Sequence, residues 1–137
     1  MAEETEAFLR YFQMRFRVEG RGRRAAQKIF ANALRETLEH AEAIAQQIQL
    51  LGHVPTLHID LALGGDRIGA EEALAEAIDI EQQALDAYTE FLPQVIGETA
   101  LEAFIRKQIE IEQAHVEELR DELRARRSLA LVKKPAE

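Results

Sequence analysis

Glu112 and His115 stand three residues apart in the stretch EIEQAHVEEL (110–119). On a helix that spacing points both to nearly the same side. Ile105, Ile109, Leu119 and Leu123 mark it as the side the helix buries. The same conflict recurs on three other amphipathic stretches. Glu81 lies three after Ile78 and four before Leu85; His40 lies three after Thr37 and four before Ile44; Glu4 lies three before Ala7 and seven before Tyr11. Any one of these has a bland explanation, since a single inward Glu usually snorkels to water and an isolated Glu-x-x-His arises by chance. Together they make three carboxylates and two imidazoles, which would repel and desolvate at high cost in a dry layer. A dication removes the difficulty by supplying charge and coordination. Mixed carboxylate and imidazole ligation suits iron or manganese better than calcium or a closed zinc site.

The elements that must position these residues read as four helices: about 3–19, 23–51, 70–92 and 99–127. Phe8, Leu9, Tyr11, Phe12, Phe16 and Val18 cover more than one stripe of the first helix, which is expected to bury one face in the bundle and another against a second subunit. Gly20 and Gly22 in GRGRR break it. Phe30, Ala33, Thr37, Ala41, Ile44, Ile48 and Leu51 form the inner stripe of the second helix, and Gly52 and Pro55 stop it. The third helix turns Leu74, Ala77, Ile78, Leu85, Tyr88 and Leu92 inward and ends at Pro93.

Loop lengths carry the topology. The first and second pairs are joined by a few residues, so each is an antiparallel hairpin. The middle connection (52–70) is long enough, at about 3.3 Å per residue, to run the length of the bundle. The fold class is therefore all-α, a four-helix bundle with one long crossover. Residues 1–127 form the single domain and 128–137 (SLALVKKPAE) a loose tail. Counted from their turns, Glu4, His40, Glu81, Glu112 and His115 lie about 22–29 Å along their helices at about 1.5 Å per residue. Hairpins packed in register bring all five to one level.

Bulk composition bounds the rest. The formal charge is −8, with fourteen acidic residues and one basic residue, Arg67, between Glu36 and Glu102. That surface is wrong for nucleic acid; it is an ordinary solvated face or a field that draws cations in. Cysteine is absent, which excludes disulfides and thiolate metal sites. The opening MAEETEAF has no leader character, and no apolar run approaches a membrane span, so a cytoplasmic chain with no membrane partner is expected.

Over residues 4–123 the ordered set resembles a bacterioferritin, within the ferritin-like superfamily. Glu4-x-x-Ala7-x-x-x-Tyr11-Phe12 is similar to the family's first-helix motif, EHAEAIAQQIQLLGHVPTL (39–57) to the end of its second helix, Glu81 to the lone third-helix Glu, and Glu112-x-x-His115 to the fourth-helix motif. The resemblance implies a di-iron centre with Glu4 and Glu81 as terminal ligands, one iron each on His40 and His115, and Glu112 bridging. It implies Fe(II) as the bound species, O₂ or peroxide as oxidant, Fe(III) as product, and ferroxidase-type activity with iron storage in an oligomeric shell.

The chain departs from the family pattern in three places. Thr37 stands where a second bridging Glu belongs, and Glu36 beside it is a weak substitute ligand. Leu38 stands where haem-binding members carry Met, so haem is not predicted. No fifth helix is evident, so a dimer is the minimum assembly expected. Two other functions fit the same residues: a degenerate subunit serving as structural or assembly partner, and a di-iron or di-manganese oxidase or peroxidase.

Overall fold

The computed structural model describes residues 1–132. Helix α1 spans Ala2–Arg17, with Glu3 and Glu4 in its first turn and Arg15 and Arg17 in its last, the arrangement that complements the helix dipole. Gly20 and Gly22 follow with φ of 71° and 84°, a left-handed backbone that side-chain-bearing residues rarely adopt. They reverse the chain into α2, Arg23–Leu50. Helix α3, Ala70–Phe91, again opens on acidic residues, Glu71 and Glu72. A short 3-10 turn, Leu92–Gln94, with proline in its first turn, leads to α4, Thr99–Val132. The expected boundaries hold within two residues except at the end of α4. That helix continues through 128–132, and the remaining residues of the expected loose tail, 133–137, lie outside the described residues.

The expected bundle with one long crossover is observed. Helix α1 packs along α2 and α3 along α4. Two two-residue strands, invisible to periodicity, close the crossover. Strand β1 (Val18–Glu19) pairs in parallel with β2 (Ile68–Gly69), Val18 opposite Ile68. The end of α1 and the start of α3 are thereby held at one end of the bundle, so α2 and α3 run parallel. Arg17 ties the crossover down. Its Nε donates to the Asp66 carbonyl at 2.8 Å and its guanidinium pairs with Glu76 at 3.0 Å.

The core is divided. One buried cluster, around Tyr11, Met14, Phe30 and Leu74, fills the end near the strands. A smaller one, Tyr88, Val95 and Ile105, fills the other end. The polar layer lies between them. On α3, Leu74, Ala77 and Tyr88 are buried as expected, but Ala73, Ile80 and Ala84 point in as well, while Ile78, Leu85 and Leu92 are only half-buried. Alanines let neighbouring helices approach closely, and the longer side chains are displaced to the seam. On α2 no described residue beyond Thr37 is buried, and Leu51 is exposed. Among the described residues, α1 reaches only to the level of His40 along α2.

Candidate metal centre

All five residues singled out by spacing converge in one layer. Glu4, Glu81 and Glu112 are only 2%, 4% and 1% exposed. His40 Nδ1 lies 3.0 Å from one oxygen of Glu112 and 3.7 Å from Glu4. His115 Nδ1 lies 3.5 Å from the other oxygen of Glu112 and 3.5 Å from Glu81. The two imidazoles stack at 5.7 Å between centroids, 10° from parallel. Two overlapping groups result, Glu4–His40–Glu112 and Glu81–Glu112–His115, each with ligand-type atoms within 4.8 Å of one another. Glu112 belongs to both.

Glu36, the weak substitute ligand expected from the sequence, is half-exposed but reaches to 3.7 Å from Nε2 of His115. It lines an open cleft of about 280 Å³ with Ile29, Asn32, Glu118, Leu119 and Glu122, and the cleft reaches Glu81 and His115. Thr37 is buried, and its hydroxyl sits at 3.0 and 3.1 Å from the carbonyls of Ala33 and Leu34 in its own helix. His53 and His58, in the crossover, are exposed and belong to neither group.

Two partners of these carboxylates, Tyr11 and Tyr88, were read from the sequence only as inward-facing residues. Tyr88 on α3 donates to Glu4 on α1 at 2.5 Å, and Tyr11 on α1 donates to Glu81 on α3. The signal was present: each tyrosine follows its candidate Glu by seven residues, in ETEAFLRY (4–11) and EQQALDAY (81–88). The hairpins thus repeat one another, and the bonds cross between the repeats.

The electrostatics follow from burial and proximity. Burial opposes charging His40, but its contacts with Glu112 and Glu4 outweigh it and raise the imidazole to about 10. Contacts with Glu112 and Glu81 raise His115 to about 10 against the opposing effect of burial. Burial pushes Glu81 up, whereas the imidazoles on both sides overcome burial and hold Glu112 below the usual carboxylate range. Burial and neighbouring carboxylates lift Tyr11 and Tyr88 well above ordinary phenols, so both remain donors. Without metal, protons on the imidazoles supply the positive charge the layer needs. They do so imperfectly. Neither oxygen of Glu112 nor Nδ1 of His40 has a well-directed hydrogen bond, despite the 3.0 Å approach. Orphaned buried atoms on α2 and α4, set beside carboxylates from α1 and α3, are a fit for a cation.

The ferritin-like domain family model matches residues 1–128. The chain belongs to the ferritin-like family. Among solved structures, a ferritin-like, diiron-carboxylate protein from Bacillus anthracis is 26% identical, with a TM-score of 0.77 over 89% of this chain and 88% of that one. The bacterioferritin-related protein of Bacteroides fragilis, a dodecameric thioferritin, is 22% identical, with a TM-score of 0.84 over 98% of this chain and 85% of that one. Dps from Thermosynechococcus elongatus is 14% identical, with a TM-score of 0.77 over 89% and 83%. The last two likenesses speak to the ferritin-like fold alone. A sequence search among curated proteins finds no significant match. No helix among the described residues is long and apolar enough to cross a membrane.

Proposed function

We propose that the chain is a ferritin-like iron-binding protein that takes Fe(II) as substrate and oxidises or sequesters it. The observation that carries this reading is the shared Glu112, which joins two carboxylate–imidazole groups across four helices. Glu4 and His40 would hold one iron, Glu81 and His115 the other, and Glu112 both. Bound there, iron supplies the electron given to O₂ or peroxide. The protein's part is to orient its carboxylates through Tyr88 and Tyr11 and to give up the imidazole protons as metal enters. The cleft past Glu36 offers a hydrated cation a carboxylate-lined approach to His115. Ferric product measured by absorbance after Fe(II) is added in air tests the reading. The chain should speed its formation over the buffer blank, and a rate equal to the blank would reject oxidation.

A second reading, a structural or assembly subunit with a weakened centre, is favoured by Thr37. It carries no carboxylate and its hydroxyl bonds within its own helix, so besides His40 α2 offers the layer only the half-exposed Glu36. In either reading the chain assembles at least as a dimer and works in the cytoplasm. Phe12 and Phe16 support the assembly. They stack edge to face on the outside of α1, 51% and 71% exposed, with Leu38 on α2 also exposed. Little stable iron, together with assembly, would select the second reading.

A further inference from the structure

Charge in the buried layer does not balance once two irons are bound as proposed. Each histidine gives up its proton to bind, so Glu4, Glu81 and Glu112 alone face two divalent ions and fall one negative charge short. Uncompensated charge held away from water is costly. Thr37 stands three residues before His40, as Glu112 stands three before His115, and it is buried. It supplies no charge, and its hydroxyl bonds to the Ala33 and Leu34 carbonyls of its own helix. Glu36 does not make up the difference. Its carboxylate lies 3.7 Å from Nε2 of His115, whereas Nδ1 is the nitrogen set against Glu81 and Glu112. Glu36 belongs to neither ligand group.

We propose that the iron-loaded centre takes up one small carboxylate monoanion, the size of formate or acetate, beside Thr37 where a second bridging Glu would have stood. The proposal rests on the two-iron reading above. Threonine stops at the γ position, and the part of a glutamate beyond it, a carboxyl group, has the non-hydrogen atoms of formate. A carboxylate also offers one oxygen to each of two ions. The cleft of about 280 Å³ between α2 and α4 passes Ala33 and reaches Glu81 and His115, which gives a small ion a way in. Glu36, Glu118 and Glu122 line it and repel a lone anion, so the carboxylate follows the cations rather than preceding them.

The experiment is calorimetric titration of the metal-free full chain with Fe(II), without air, at fixed pH and ionic strength, in perchlorate and again with formate replacing it. Formate should tighten binding of the second iron at least about tenfold. Acetate should act likewise, and pivalate, which is too bulky, should not. Thr37→Glu brings its own carboxylate and should bind both irons with no formate effect; Thr37→Asp is the smaller change should that variant not fold. Glu36→Gln should keep the full effect. Formate should leave the Tm of the metal-free protein unchanged. Two irons bound equally tightly in both media would overturn this proposal and leave iron binding standing, whereas fewer than two in both media would overturn both. Pivalate matching formate would also overturn it. So would a formate effect undiminished in Thr37→Glu or Thr37→Asp, a shift in metal-free Tm, or an effect confined to Glu36→Gln, which would make Glu36 the source of the missing charge.

Discussion

The α1–α2 and α3–α4 hairpins carry the same device twice and differ at one decisive position. Glu4, Tyr11 and His40 in the first answer to Glu81, Tyr88 and His115 in the second, and each tyrosine bonds the other hairpin's Glu. Three residues before its histidine, however, the second hairpin has Glu112 and the first has Thr37. Glu112 faces both imidazoles, whereas Thr37 turns its hydroxyl back to Ala33 and Leu34. The difference teaches that near-symmetric scaffolding can hold an asymmetric centre. One carboxylate belongs to both groups, so under the proposed reading removing it should disable both halves together.

That dependence gives the largest expected effect. Glu112→Gln should abolish stable iron at both groups, read by elemental analysis. In the metal-free protein it should lower stability by about 3–5 kcal/mol, the usual cost of stranding buried charge, read by denaturant unfolding. Loss of iron from one group only would mean the halves are independent.

Restoring the symmetry comes next. Thr37→Glu adds a like charge to a dry layer, so metal-free stability should fall, by about 2–4 kcal/mol. Iron affinity should rise, by about 10–100-fold, the range typical of groups that support metal ligands. A variant with lower stability and unchanged affinity would show that Thr37 is not the missing bridge position.

The pH response should be smaller and common to both halves. Each imidazole stays protonated in the fold to about 10, against 6.5 for the ordinary group. The folded chain therefore binds more protons between those values. The ion pairs' contribution is complete below pH 6.5 and is lost as pH rises toward 10. Glu81, raised by burial, acts in the same direction at lower pH. Metal-free Tm should fall by roughly 10 °C across that window, and less in His40→Gln. A flat profile would mean the imidazoles are neutral in the fold.

How much of this was legible in the sequence depends on what fixed each feature. The five-residue layer was readable because helical rise sets height, and turns at Gly20–Gly22 and Pro93–Gly97 set the origin. The Tyr88–Glu4 and Tyr11–Glu81 bonds were not, because they depend on how far α1 and α3 rotate toward one another. That rotation goes with the burial of Ala73 and Ala84, small residues that the expected stripe left out. The β1–β2 pair was too short for any period to register.

The crossed tyrosines should give the smallest effects. Tyr88→Phe and Tyr11→Phe each remove one hydrogen bond to a carboxylate, about 1.5–3 kcal/mol. Both should slow iron oxidation modestly and by similar factors. Unequal losses would show that the two halves are not equivalent supports.

Iron per chain after anaerobic loading with Fe(II), by elemental analysis, tests the central claim most directly. About two irons per chain is the result expected if Glu112 joins two working groups. One iron or none would contradict it, and would mean that Thr37 has left this fold without a di-iron centre.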